Sequence, residues 1–593
     1  MTERGAGAVE RRPRLAQAWQ EQRARWTLPL VIIVIIGVVA TVDHLGSHRI
    51  SRVDEQNTSA LVPAAGGTAT VAFDRPWDGF NPNTPAGASS TSPTLLSAVL
   101  PSAYVIDPKL APQVNNALLQ SVEVTSTSPL TIQYVINPSA VWSDGVPVSA
   151  ADFIYAWQSQ RGDGVDVDGQ ADQVASTLGY QDVASVTSSH GGKTVTVVFS
   201  RPFTDWRIMF NHMVPAHIAS RVGWNRGFAT FKPTVDLSAG PLMVQSATRN
   251  HVVLVRNPRW WGTPSTLSRI TVINSPSEKA WSTMLGISNQ AVAVPSAFTL
   301  ATLDSVSSLP NTQSEVKPSL NQLELDFNTT SPLTAQTATR EAIAHIIDRS
   351  AVLDQTVGPI DPSLVVSQDH FSVPALPTYN PSSASGEYAV PNPAAADSLL
   401  GSIGYHRDVQ GQYVDGSGRP LVVRMAVESG DPWISDTGDL IAAQLRADGI
   451  GVVVTPVPGV AGLEAAVTSN GYDLALVTRV VSPYESVAGA WYSDALGPDS
   501  STGTQDWSQL DDPEVNQLFG QAGQDLNPVT GGNVYAQIDD QLWDQMVALP
   551  LFAEPALLAN GVQIANVQYN PSIDGILWNV AMWTLLKPGI PSQ

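Results

Sequence analysis

The stretch that decides the fold reads Thr131-Ile132-Gln133-Tyr134-Val135-Ile136, then Val141-Trp142-Ser143-Asp144-Gly145, then Pro147-Val148-Ser149-Ala150-Ala151-Asp152-Phe153. The first six residues alternate as a half-buried strand does. Ser143-Asp144-Gly145 carries turn chemistry, with Gly145 free to take a positive φ. Ser149 is placed to cap a helix, and Asp152, at the third helical position, complements its dipole. Strand, turn and capped helix follow each other within 23 residues.

Working outward, other segments show the same mixed rhythm. Thr68 to Phe73 alternates weakly and reads as a first strand, and Leu95 to Leu100 reads as the helix after it. Val114 to Ser126 is a further strand. Val183 to Val186 and Thr194 to Phe199 form a hairpin joined through His190-Gly191-Gly192. Ala338 to Arg349 has the apolar spacing of a helix. Strand, helix, strand, helix, strand is the reading of Leu421–Val427, Thr437–Asp448, Val452–Val454, Leu463–Ser469 and Tyr472–Val477. That order marks an α/β domain. Helices are expected from Asp512 to about Gly523 and from Tyr535 to Val547.

The aromatic-Ser-Asp-Gly turn followed by Ser149-Ala150-Ala151-Asp152-Phe153 resembles the family 5 extracellular solute-binding proteins, the oligopeptide and dipeptide receptors of ABC importers. Three more segments match in family order. These are Ala239-Gly240-Pro241-Leu242 with Arg256-Asn257-Pro258-Arg259-Trp260-Trp261, then Phe327-Asn328 with Arg340 to Arg349, and Ala548-Leu549-Pro550-Leu551-Phe552. Leu242 replaces the usual aromatic residue of the second segment. The resemblance implies an α/β, bilobal periplasmic-binding-protein fold, type II, in its three-domain peptide-receptor variant. It divides the chain into lobe I (68–98, 235–320 and 560–593), a small lobe II (99–234) and lobe III (321–559). Ligand would lie between lobes I and III, with crossings near Ser319–Leu323 and Glu554–Ala559 as the hinge. The composition also resembles a divergent actinobacterial branch of the family, with a member that regulates lipomannan and lipoarabinomannan synthesis.

The amino terminus bears on location. Residues 1–25 hold six arginines against three glutamates, and 26–42 form a 17-residue segment that is apolar except for Thr27 and Thr41. This is the short end of a membrane span, with the basic side cytoplasmic. The segment reads as a single transmembrane helix or uncleaved signal with an extracytoplasmic body beyond a tether at 43–67. A cleaved signal peptide is the alternative. With no cysteine in the chain there is no lipidation site, disulfide or thiolate ligand.

The rest of the chain carries 25 basic against 50 acidic residues. Such a surface repels nucleic acid, and no basic stripe interrupts it. No cofactor, metal centre or catalytic motif is expected. Asp163 to Gly169 lacks the twelfth-position Glu of a calcium loop and reads as a solvated insertion. His212 and His217 are five residues apart, the wrong spacing for one helical face, and read as packing residues. A glycoside hydrolase is the enzyme alternative.

After the predicted strand at 472–477, family peptide receptors place a tryptophan and an aspartate that anchors the ligand's amino end. This chain has Val477-Thr478-Arg479-Val480-Val481-Ser482-Pro483-Tyr484-Glu485 instead. Both family residues are missing, and a buried ammonium without its carboxylate costs several kcal/mol. Arg479, Tyr484, Glu485, Trp491 and Tyr492 are therefore candidate ligand contacts, suited to an anionic or sugar-like group. Phe73, Trp77 and Trp433 are further candidate platforms. The alternative for Trp491 and Tyr492 is packing beneath a loop. The partners implied are a peptide-like or glycolipid ligand, an ABC permease or an envelope-biosynthesis membrane protein, and the membrane through the N-terminal helix.

Overall fold

The computed structural model describes residues 49–51, 61–64, 66–429, 432–493 and 505–588. The basic tail 1–25, the apolar segment 26–42 and most of the tether 43–67 lie outside the described residues. Among the described residues no helix is long and apolar enough to cross a membrane.

The chain first lays down β1 (Thr68–Phe73), then β2 (Leu119–Thr127), β3 (Leu130–Ile136), β4 (Val183–Ser189) and β5 (Thr194–Phe199). It continues with β6 (Leu242–Thr248), β7 (His251–Arg256), β8 (Arg269–Asn274) and β9 (Ala291–Ala293). The long β10 (Thr312–Phe327) follows, then β11 (Val422–Ser429), β12 (Gly451–Pro458) and β13 (Leu474–Val480), and the long β14 (Ala548–Gly561). One sheet runs β6-β7-β8-β1-β9-β14-β10-β13-β11-β12, with Arg49–Ser51 pairing β10 off this path. A separate four-stranded sheet has the order β2-β3-β5-β4.

The large sheet has two halves held through β10 and β14, which pair antiparallel along most of their length. β14 takes β9 on one side, and β10 takes β13 on the other. Every residue of β14 is buried, as a strand covered on both faces requires. Their ladder shifts register in two places, between Leu323 and Glu324 and, more widely, after Pro318. Pro318 pairs with Pro555, and pairing resumes only at Gln322 and Ala553. Neither proline brings an N–H to the ladder, so the strands bend where Ser319–Asn321 bulge out.

Two large apolar cores flank this seam. One gathers β1, the four-stranded sheet, β6 to β8 and the C-terminal residues Ile576 to Leu585. The other gathers β10, β11, β13, β14 and the helices packed on them. Chief among these are α2 (Thr337–Ile346) and α3 (Pro432–Ala447), numbered after α1 (Ala150–Gln160).

The deciding stretch folds as its chemistry requires. Leu130, Ile132, Tyr134 and Ile136 point inward from β3, alternating with partly exposed neighbours. Gly145 has φ +97°, and the Asp144 carboxylate accepts the Val146 N–H at 3.0 Å. Ser149 caps α1, and Asp152 returns the favour by accepting the Ser149 N–H at 2.9 Å. The other Asp152 oxygen accepts the Ala216 N–H at 2.9 Å, so the cap also anchors the next segment. At Gly240 an added Cβ would stand 2.3 Å from the Ala98 carbonyl oxygen, so the Gly-Pro turn depends on a bare backbone.

Some boundaries differ from expectation. The strand read over 114–126 is interrupted by a turn, in which Asn115 accepts the Leu118 and Leu119 N–H groups, and β2 begins at Leu119. The helix read through Arg349 stops at Ile346. Asp348 leaves helical geometry (φ −84°, ψ 90°) and caps a second helix through the Ala351 N–H at 2.9 Å. Arg349 then donates from Nη1 to the Ser367 and Pro550 carbonyls, both at 2.9 Å. A helix expected from Tyr535 begins seven residues earlier, at Pro528, where Asn527 caps it.

Ser149→Ala removes the cap but leaves the Phe153 packing. It is expected to lower stability by about 1 kcal/mol, measured as a downward shift in a denaturant midpoint with unchanged slope.

Candidate functional site

The site is built where β13 ends. Val480 to Tyr484 leave the sheet as a short turn, a 3-10 turn follows at Glu485–Ala488, and Gly489–Tyr492 makes one helical turn. Val481 still donates its N–H to the Leu320 carbonyl at 2.8 Å, and Pro483, two residues on, has no N–H with which to extend the pairing. Across from this segment stand residues outside the strands of the four-stranded sheet, including Ile106 before β2, Leu178 before β4, and Ile208 and His212 after β5, with Pro571 to Ile573 also lining the space. Between them lies a cavity of about 400 Å³. Two hydrogen bonds tie the 204–205 turn to residues 486 and 523. The Thr204 N–H donates to the Gly523 carbonyl at 2.8 Å, and the Ser486 N–H donates to the Asp205 carboxylate at 3.1 Å.

The lining is largely apolar. Among the described residues it contains no Asp, Glu, Lys or Arg. Its one titratable ring of the charged class, His212, is pushed down to about 4 by burial and is neutral at physiological pH. Three polar atoms of its lining residues are unsatisfied. The Tyr484 hydroxyl, His212 Nε2 and Asn211 Oδ1 are buried with no hydrogen-bond partner. Tyr484 is 5% exposed and His212 2%. A ligand group that supplies matching donors and acceptors would recover the cost of burying them.

The structure brings some of the expected residues together and sends others elsewhere. Tyr484 and Trp491 line the cavity. Phe73 lines a neighbouring cavity of about 180 Å³ at the bend of β10, which shares Leu320, Pro571 and Ser572 with the first. Trp77 is a core residue beside β1. Trp433 is buried at the start of α3 with its ring edge-on to Phe298, centroids 5.1 Å apart. Glu485 turns away from the cavity into another one.

Arg479 is the main correction. It points off β13 into the protein, 1% exposed, rather than towards a ligand. Its Nε donates to Glu324 Oε1 at 2.6 Å, and its two other nitrogens reach Asp326 and the Gln505 carbonyl. Tyr492, expected as a ligand platform, donates its hydroxyl to the same Glu324 oxygen at 2.8 Å. The reason is register. Arg479 lies opposite Gln322 in the ladder, which puts its side chain on the same face as Glu324 and Asp326 of the adjacent β10. The rings of Trp491 and Tyr492 lie 5.5 and 5.3 Å from the guanidinium carbon, within cation–π range. Trp491 therefore has the cavity on one side and a buried cation on another.

The charge balance in this cluster is uneven. One guanidinium meets two fully buried carboxyl groups. Burial works against the Arg479 charge, but Asp326 and Glu324 outweigh it and raise its pKa. Asp326 is raised well above the carboxylate range by burial, with Arg479 opposing and Glu324 adding to the shift. Glu324 Oε2 and Asp326 Oδ1 have no donor partner. Burial thus favours the protonated form of Asp326 beside the one guanidinium.

With this geometry in place, relatives can be compared. The sequence pattern described as "Bacterial extracellular solute-binding proteins, family 5 Middle" matches residues 113–499. This chain belongs to that family. It is 26% identical over 493 residues to the oligopeptide-binding protein OppA of Mycobacterium tuberculosis, covering 81% of this chain and 78% of OppA. It is 25% identical over 585 residues to the probable monoacyl phosphatidylinositol tetramannoside-binding protein LpqW of the same species, covering 85% and 89%. Among solved structures, the periplasmic EDTA-binding protein EppA superposes with TM-score 0.79 at 24% identity, over 90% of this chain and 99% of EppA. The oligopeptide-binding protein AppA of Bacillus subtilis, in complex with a nonapeptide, gives 0.71 at 16%, over 89% and 100%. The fold is thus the bilobal type II periplasmic-binding-protein fold, and the protein is an extracytoplasmic solute-binding protein rather than an enzyme.

Arg479→Met is expected to destabilise the fold by about 3–5 kcal/mol, because two buried carboxyls lose their only cation. The triple variant Arg479→Met, Glu324→Gln, Asp326→Asn should recover most of that loss. The sign with pH follows from Asp326. A raised folded-state pKa means the native state binds the extra proton, so stability falls as pH rises from the ordinary aspartate value of 3.8 through the raised value. Urea midpoints at several pH values test this, and the single variant should show the steeper decline.

Proposed function

We propose that this protein is the receptor of an ABC-type importer, tethered to the membrane by residues 26–42, and that its interlobe cleft closes on a peptide-like or other polar solute through an uncharged portion of it. The single observation that carries the ligand preference is the neutral 400 Å³ cavity with its unpartnered Tyr484, His212 and Asn211 atoms. Placing a bare ammonium or carboxylate there would cost several kcal/mol. A backbone amide or a sugar hydroxyl would satisfy the same atoms at no such cost. In this reading the chain works as lobe I (68–98, 235–320, 560–593), lobe II (99–234) and lobe III (321–559). The bulge at Ser319–Asn321 supports a hinge there, since a bent, proline-flanked ladder has fewer bonds to break on opening. Trp491, Tyr484 and, at the far end, Phe73 are the ligand contacts proposed.

A second reading is favoured by the same neutrality. A mannosylated glycolipid presents hydroxyls and apolar surface, and similarity to LpqW is of the same order as similarity to OppA. On that reading the protein is an envelope regulator or scaffold without a permease.

Calorimetry with one apolar tetrapeptide in two forms separates these. The N-acetylated, C-amidated form should bind at least ten-fold tighter than the free-ended form, about 1.4 kcal/mol. Trp491→Ala should weaken it by about 1–3 kcal/mol, and small-angle scattering should show compaction on binding. Tighter binding of the free-ended peptide overturns the neutral-cleft reading. Binding of phosphatidylinositol mannosides with neither peptide form bound replaces the importer reading by the second one.

A further inference from the structure

Glu485 leads to a second cavity, of about 260 Å³, which shares no lining residue with the cleft. It is bounded by the 369–380 segment, the turn after β13, and one face of a long helix. That helix is α6 (Pro528–Asp544), which follows α4 (Gly459–Thr468) and α5 (Pro513–Gln524). Three carboxyl groups line this cavity, namely Asp369, Glu485 and Asp539, and among the described residues no Lys, Arg or His does.

Each carboxyl is short of positive charge. Asp369 is 4% exposed and accepts the Phe371 N–H at 2.9 Å. Burial, with Asp539 and Glu485 adding to it, raises it well above the carboxylate range. Glu485 is pushed up to about 7 by burial and by Asp205. Asp539, 2% exposed, takes both the His370 N–H (2.9 Å) and His370 Nδ1 (2.7 Å) on Oδ1. Its Oδ2 has no partner. His370 lies behind Asp539 with its other nitrogen on the Ala548 carbonyl, and even fully protonated it balances one carboxylate of the three.

A second observation is independent of charge. Tyr535 lines the same cavity one helical turn before Asp539, is 4% exposed, and its hydroxyl is buried without a hydrogen-bond partner. An unpaired buried hydroxyl beside unpaired carboxylates is costly in a folded protein, and an N–H-bearing cation would satisfy both. The space exceeds that of a single ion many times over. Among the described residues no three Asp, Glu or His side chains converge closely enough to hold a metal. Both facts favour an organic cation.

We propose that this cavity is a binding site, distinct from the interlobe cleft, for a small organic polycation whose ammonium groups are held by Asp369, Glu485 and Asp539 and donate to the Tyr535 hydroxyl. Because the turn that carries Glu485 also carries Tyr484 and Ser486, cation binding would steady the edge of the cleft without entering it.

The test uses the purified full-length protein, titrated calorimetrically with spermidine, putrescine or calcium chloride at 0.15 M salt. Saturable, one-to-one spermidine binding is expected. Glu485→Gln should weaken it at least ten-fold. Thr378→Arg, made at an exposed lining position, should abolish it by bringing a guanidinium of its own, and should raise the melting temperature. Asp354→Asn, which removes an exposed carboxylate elsewhere, should change it less than two-fold. Absence of saturable spermidine binding overturns the proposal, as does binding that survives Thr378→Arg, or binding of calcium in place of the amines. Should Glu485→Gln fail to fold, Thr378→Arg alone decides. None of these outcomes depends on what the cleft binds.

Discussion

Everything in this molecule hangs on the antiparallel pairing of β10 with β14. The two strands come from positions more than 200 residues apart, yet each supplies hydrogen bonds to both halves of the large sheet. One half is completed by β9 and β1, the other by β13 and β11. A pairing of such sequence separation forms only after the intervening chain is largely placed, which makes it the late and costly contact. It also explains the composition of β14, Ala548 to Gly561, which is apolar at nearly every position because both faces are covered.

The same seam sets the electrostatics. β10 carries Glu324 and Asp326 on one face, and both are fully buried. Two buried carboxyl groups with one residue between them call for a cation in a dry interior. β13 brings Arg479 beside them, and Tyr492 closes the cluster. The guanidinium thus holds the edge of the cleft in place from behind, while the cleft surface itself stays neutral. Position and chemistry are divided between neighbours. Arg479 carries the charge, and Trp491 and Tyr484 line the neutral cavity.

Local chemistry was legible in the sequence wherever it was decided by near neighbours. The Asp144-Gly145 turn, the Ser149 and Asp152 cap and the alternation of β3 depend on contacts within a few residues, and each reads directly from spacing. The β-α-β order after Leu421 is legible for the same reason. The role of Arg479 was not, because it depends on strand register across 155 residues, and nothing in Val477 to Glu485 shows which face of the sheet meets Glu324. The aromatic candidates divide similarly. Rings at Trp77 and Trp433 carry the same composition signal as Trp491, but their surroundings are fixed by distant segments. The acidic cavity beside α6 draws on three separated stretches of chain. A signal existed in Asp369-His370 and in the four-residue spacing of Tyr535 and Asp539, but acids and helix faces of that kind are common on solvated surfaces.

The two bonds of the 204–205 turn carry a kinetic consequence. Thr204 to Gly523 and Ser486 to Asp205 join segments that move apart if the halves separate. Separation of those segments requires both bonds to break. At about 1 kcal/mol net each, they slow opening roughly thirty-fold relative to segments without them. On the proposed closure, residence time is governed partly by hydrogen bonds that never touch the solute, so two ligands of unequal affinity share a common ceiling on their rate of escape.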